Sequence, residues 1–308
     1  MPVNPARPPA RTVLRKGSCN AGPVRGPRSE RRSVNSTVSQ FNYGMITPVV
    51  AFLMACAGAA LGLRCTTRSV RMGARGRRGP WLTLGAICIG SGIWTMHFIA
   101  MIGFTIDGAS IRYDPALTFL SLGVAVAVVL LGVLVVGYRG ASPLTLGVAG
   151  VVTGGGVAAM HYIGMNGMKF AGHMTFDPVT VGLSVLIAVT AATAALWAAV
   201  SLHTLASAAA ASVIMGVAVT GMHYTGMAAM SVHVDAGSRV QGQSSMDLLF
   251  SLIPMVGGPI VVLVLAAVIV MFDPDMLVGN EPVQHPQSHE QESASVADTR
   301  PTASWPSL

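Results

Sequence analysis

The sequence predicts an all-α membrane protein of seven transmembrane helices, built on a degenerate two-helix repeat and flanked by disordered tails. Three observations carry this. Of 308 residues, 52% are hydrophobic and 10% charged, where a soluble domain carries about a quarter charged residues; the mean hydropathy is +0.61. The apolar residues fall into seven runs, each near or above the ~20 residues that span a bilayer core as a helix. Three of the runs contain near-copies of one cassette: "TMHFIAMIGF" at 95–104, "AMHYIGMNGM" at 159–168 and "GMHYTGMAAM" at 221–230.

In chain order, residues 1–44 are rich in Pro, Gly, Ser and Arg and hold too little apolar surface to fold alone. The runs follow at roughly 45–63, 81–104, 115–137, 143–168, 179–202, 205–230 and 248–272. The first is the shortest; its "LMAC" (Leu53–Cys56) resembles a lipoprotein cleavage box, but the run continues to Leu63 and reads as an uncleaved helix. In lipid, backbone groups must be satisfied within the segment, so the runs are helices. Residues 273–308 return to Pro, Gln, Ser, Glu and His without periodicity and read as a second disordered tail. The expected domain is thus 45–272, and neither tail has room for a soluble catalytic or DNA-binding domain.

The net charge of +7 does not point to nucleic acid, because eight of the 19 basic residues lie in 1–32 and six more in 64–78. The loop after the first helix, "RCTTRSVRMGARGRRG", carries six Arg. The excess of Lys and Arg in cytoplasmic loops places it inside. Arg139 falls on the same side, and Arg112, Lys169 and Arg239 on the other. The expectation is an outer N-terminus and a cytoplasmic C-terminus, although Arg28, Arg31 and Arg32 near the first helix run against it. Four cysteines (19, 56, 65, 88) form no C-x-x-C pair and no metal-type cluster.

The cassettes centre on His97, His161 and His223, separated by 64 and 62 residues, a period that marks a repeated unit. Each unit reads as a helix with the cassette near its end, an outer loop and a return helix. The outer loops "IRYDPALTFLS" (111–121) and "MTFDPVTVGLS" (174–184) also match, with Asp as a cap and Pro in the first turn. The loop at 231–247 lacks Asp-Pro, so the third unit is degenerate. "GSGIW" (90–94) and "GGGVA" (154–158) supply small residues for close helix approach. The cassettes end helices 2, 4 and 6, which run in one direction and bring the histidines to similar depth near the outer face.

On a helix, positions i, i+4 and i+7 share a face. His161, Met165 and Met168 have that spacing, as do His223, Met227 and Met230; the first unit offers His97, Met101 and Phe104. Met96, Met160 and Met222 precede the histidines and point about 100° away. Imidazole with thioether is a copper-type ligand set. The nine candidate metal ligands are therefore His97, His161, His223, Met101, Met165, Met227, Met96, Met160 and Met222. Structural histidine pairing across helices, and proton or ion conduction, stay open beside this reading. His173 and His233 fall in outer loops, and His203 at the inner end of the fifth helix. No nucleophile–base pair, phosphate loop or paired membrane acid suggests an enzyme. A copper permease, or a haem-binding electron carrier with axial histidines, uses similar residues.

Met96-His97-Phe98, Met160-His161-Tyr162 and Met222-His223-Tyr224-Thr225 resemble the MHYT-domain family of bacterial integral membrane sensor proteins. The resemblance covers roughly residues 45–270. It implies seven membrane helices with the motifs near the outer face, a bound copper ion, and sensing of a diatomic gas such as O2, CO or NO. Family members often carry cyclase, phosphodiesterase or kinase domains after the last helix. Nothing after Asp273 reads as such a domain, so the expectation is a separate cytoplasmic signalling partner.

Overall fold

The computed structural model describes residues 33–35, 37–72, 78–107, 109–202, 204–235 and 245–272. The elements run β1 (Ser33–Asn35), β2 (Val38–Ser39), α1 (Ile46–Arg71), α2 (Arg78–Ile102), β3 (Thr105–Ile106), β4 (Arg112–Tyr113), α3 (Pro115–Arg139), α4 (Pro143–Asn166), β5 (Met168–Lys169), β6 (Gly172–Phe176), α5 (Pro178–Ser201), α6 (Leu205–Ala228), β7 (Met230–Asp235) and α7 (Ser245–Met271). The seven expected helices are all present. Helices α1 to α6 are long and apolar enough to cross a membrane, and α7 holds a shorter apolar stretch, Met255–Met271. Residues 1–32, 273–308 and His203 lie outside the described residues.

Local chemistry fixes the helix starts. Asp114 accepts from the backbone N–H groups of Ala116 (2.9 Å) and Leu117 (3.3 Å), and Pro115 opens α3. Asp177 does the same for α5, accepting from the Thr180 N–H (2.9 Å) and hydroxyl (2.6 Å). These bonds hold the Asp177 carboxyl below the usual carboxylate range. At the opposite ends of the bundle, Ser142 caps α4 and Thr204 caps α6. Such caps are each worth about 1 kcal/mol.

Helix α1 differs from its expected form. It is 26 residues long rather than the shortest, because it continues past the apolar run through Arg64, Arg68 and Arg71. Arginine is a good helix former and can keep its charged head in the interface while its stem lies along the helix. The Arg68 guanidinium lies over the Trp81 ring, 5.8 Å from its centroid, and ties α1 to the start of α2.

The strands pair the helices. The strand before each odd-numbered helix pairs, antiparallel, with the strand after the following cassette helix: β2 with β3, β4 with β5, and β6 with β7. One backbone bond recurs at each closure. Asn42 donates to the Gly103 carbonyl (3.0 Å), Asp114 to Gly167 (2.9 Å) and Asp177 to Ala229 (2.8 Å). All three acceptors stand six residues after a cassette histidine. The strand closures therefore tie the helices in the pairs α1–α2, α3–α4 and α5–α6, each pair ending on its cassette helix. Of these pairs, the first is the one without an Asp-Pro cap: Met45 precedes α1 and makes no side-chain cap bond. The structure also begins before the expected boundary at residue 45, because β1 pairs with β7 and β2 with β3. That pairing supplies the edge partners a lone polar segment lacks.

Helices α1 to α6 each pack on their chain neighbours within that set, α6 closes onto α1, and α7 lies along α2. Helix α2 is the most buried of the candidate spans. Its approach to α1 requires glycine on both sides: a Cβ at Gly58 would sit 2.7 Å from Gly92 Cα, and one at Gly92 equally close to Gly58 Cα. This is the close contact that small residues permit between membrane helices.

Candidate metal centre

The three unit closures set the last turns of α2, α4 and α6 at one level. The imidazoles of His97, His161 and His223 meet there, each at most 1% exposed. Their Nδ1 atoms form a triangle with edges of 3.0 Å (His97–His223), 3.2 Å (His97–His161) and 3.4 Å (His161–His223). The rings are mutually tilted by 75–88°, with centroids 4.9–5.1 Å apart. The point equidistant from the three nitrogens lies about 1.9 Å from each, the mean edge divided by √3; metal–imidazole bonds run ~2.0–2.1 Å. The spacing would suit three imidazole ligands to one ion.

Hydrogen bonding alone does not satisfy this ring. A neutral imidazole carries one N–H, and a given ring nitrogen is either donor or acceptor. Three facing Nδ1 atoms can share one proton, forked between two acceptors, which leaves two lone pairs facing each other. A buried polar group without a partner costs about 1–3 kcal/mol. The three Nδ1 lone pairs would instead serve as ligands to one cation, with the ring protons on Nε2. The three histidines are a group that could hold a metal ion, and no carboxylate or thiolate joins them among the described residues.

The outward nitrogens show what orients the rings. His97 Nε2 and His161 Nε2 have no hydrogen-bond partner among the described residues. Both abut glycine on the next cassette helix: a Cβ at Gly164 would stand 2.6 Å from His97 Nε2, and one at Gly226 would run into His161 Nε2. Gly164 and Gly226 are each three residues after a cassette histidine. Sequence reasoning passed over them, although the signal, His-x-x-Gly in two of three cassettes, was visible. Ala100 takes that place after His97.

Of the aromatic residues that follow the histidines, Tyr162 has a hydroxyl partner, whereas the Tyr224 hydroxyl has none among the described residues. The Tyr162 hydroxyl is 2.7 Å from Ser184 Oγ. The matching serine of the earlier unit, Ser121, accepts instead from Trp94 Nε1 at 2.9 Å. Phe98 stands where Tyr162 does and has no hydroxyl to compete.

Met96, Met101, Met160, Met165, Met222 and Met227 are all buried and belong to the same core cluster as the residues around the ring. The structure thus brings the three expected imidazoles together, and the six methionines are buried in the core of the same bundle. His173 and His233 are not isolated loop residues. They face each other in register across β6 and β7, with rings stacked at 4.9 Å.

Residues 90–149 and 154–212 match the MHYT family, described as a bacterial signalling protein N-terminal repeat. Two segments of the chain are MHYT repeats. The first MHYT segment starts inside α2 and the second inside α4; the third cassette lies beyond both. Among curated relatives, the chain is 41% identical over 162 residues to the bifunctional diguanylate cyclase/cyclic di-GMP phosphodiesterase MucR of Pseudomonas aeruginosa, covering 51% of this chain and 24% of that one. It is 38% identical over 206 residues to the cyclic di-GMP phosphodiesterase NbdA of the same organism, covering 65% and 26%. To the signaling protein YkoW of Bacillus subtilis it is 27% identical over 205 residues, covering 63% and 25%. The chain spans about a quarter of the length of these relatives. No solved structure matches it. The MHYT repeats and the apolar helices make this a sensor-type, multi-pass membrane protein of the signalling class.

Proposed function

We propose that the MHYT bundle is a membrane sensor whose His97, His161 and His223 hold one copper ion near the outer face. The single observation that carries this is the Nδ1 triangle, with edges of 3.0–3.4 Å. Charge points to the monovalent state. The penalty for burying an ion rises with the square of its charge, and this ring offers no anion to offset it. Three neutral nitrogens with soft sulfur nearby suit Cu(I). When bound, copper supplies a soft Lewis-acidic centre with a position left for a diatomic ligand such as CO, NO or O2. The chain's own residues hold it between three helices, orient the imidazoles over glycine and exclude water. Since each unit contributes one imidazole, a change at the ring bears on α2, α4 and α6 together, and so on the loops at their far ends. The names of MucR and NbdA suggest a separate cytoplasmic partner of the cyclic di-GMP class. The haem alternative is less favoured, since nitrogens within 3.4 Å of one another leave no gap for a macrocycle. A copper permease would use mid-membrane sites on broken helices, whereas the ring sits at the ends of three continuous ones.

Elemental analysis of the purified protein tests the reading. The expected result is one copper per chain; stoichiometric zinc, or no metal after copper loading, overturns it.

The two methionine sets can be separated. Met101, Met165 and Met227 follow each histidine by one turn on its own face, so Met→Leu at these three is expected to weaken Cu(I) binding more than Met→Leu at Met96, Met160 and Met222. Leucine keeps the volume and removes the sulfur. Chelator competition reads the difference. The opposite ranking reassigns the thioethers, and no loss in either set makes all six packing residues.

The orientation has its own check. With an outer N-terminus, a cysteine introduced at Gly76 is labelled only from the cytoplasmic side. Labelling from outside inverts the bundle and moves the ring to the inner face.

A further inference from the structure

The bundle contains a cavity of about 50 Å³, well above the ~10–15 Å³ that admits a single water. Its position follows from the repeat. Ile93, Val157 and Val219 line it, and each stands four residues before a cassette histidine. Ile89, Thr153 and Met215 also line it, and each stands eight residues before one. Positions i−4 and i−8 lie on the same helical face as i. The stripe that presents an imidazole on α2, α4 and α6 therefore presents cavity wall one and two turns deeper. The cavity and the imidazole ring share one axis. Met222, beside His223, is also part of the wall.

Water gains little there. A buried water needs two to four polar partners. Thr153 carries the only polar side chain in the lining, and its hydroxyl donates to the Val128 carbonyl at 3.3 Å. The far wall is formed largely by alanines of α5. Ala191, Ala192 and Ala195 there are only partly buried, so the cavity reaches the bundle's surface at membrane depth. Small apolar molecules prefer such surroundings to water.

We propose that this cavity is a binding site for a small uncharged gas molecule, filled from the lipid and placed one helical turn below the histidine ring. As an antechamber that feeds the ring it rests on the metal reading; as a gas site it stands alone. A gas molecule held there is on the axis along which the three imidazoles open toward the bundle interior.

The test uses xenon as the probe, by 129Xe NMR on the metal-free chain in nanodiscs. Saturable binding is expected. Ala188 lines the cavity and is buried, so Ala188→Leu fills it and should weaken xenon binding by about tenfold or more. Leu196→Ala widens it and should strengthen binding, which guards against a variant that merely misfolds. No saturable xenon binding by the unaltered chain, or binding unchanged in Ala188→Leu, overturns the proposal. A second arm follows CO association with the copper-loaded protein. Ala188→Leu should slow association several-fold at unchanged copper content. A chain that binds xenon but no copper keeps the cavity site and removes the metal reading; copper without xenon does the reverse.

Discussion

Replacing His97, His161 and His223 together by alanine is expected to abolish copper binding while leaving the helical bundle assembled. The bundle's closures are backbone bonds at Gly103, Gly167 and Ala229, and none uses an imidazole. Each single replacement removes one of three ligands and should lower affinity by more than the ~10–100-fold typical of changes that only support a ligand. Copper stoichiometry and chelator competition give the two readings, and circular dichroism reports the helices. If the triple variant keeps wild-type copper, the ion sits elsewhere and the histidines pair for structural reasons alone.

Gly164→Ala and Gly226→Ala are expected to damage the ring without touching a ligand. The added methyl at Gly164 would lie 2.6 Å from His97 Nε2, and that at Gly226 would collide with His161 Nε2. The obstacle in each case is the far end of a side chain that can rotate, not backbone. The rings should therefore swing out of the triangle, at a stability cost within the ~1–3 kcal/mol usual for overpacking. Metal affinity should fall far more than thermal stability does. Ala100→Gly, at the matching place after His97, is the control and should change neither. Unaltered copper affinity in both alanine variants would show that ring orientation does not depend on these contacts.

The helices and the histidine layer were legible because both rest on local spacing. Apolar length gives the spans, Asp-Pro gives two of the starts, and the 64- and 62-residue periods put three imidazoles at one depth. The ring's inner geometry was not legible. That Nδ1 rather than Nε2 faces the centre depends on what the outer edge of a ring meets, and for His97 and His161 that is glycine on a neighbouring helix. The strand closures were not legible for a related reason. Strands of two residues such as β2, β3, β4 and β5 are too short to show alternation, and their partners lie a helix pair away. Without them, the Asp-Pro loop looks like the middle of a unit; with them, it also opens the next helix pair. The length of α1 escaped notice because hydropathy reports where lipid ends, and a helix of arginines can continue beyond that.

The two kinds of contact also differ in when they can form during synthesis. The closing bonds join residues about two helices apart, 42 with 103, 114 with 167 and 177 with 229, so each helix pair can settle as soon as it leaves the ribosome. The ring cannot. His97 waits for His223, 126 residues later, and β1 waits longer still for β7, since Ser33 pairs with Asp235. Until α6 is inserted, the nascent chain holds at most two of the three imidazoles. On the proposed metal reading, loading has to follow the insertion of α6. A translation product that stops short of residue 223 can be membrane-inserted and well paired, yet it has no complete site for an ion.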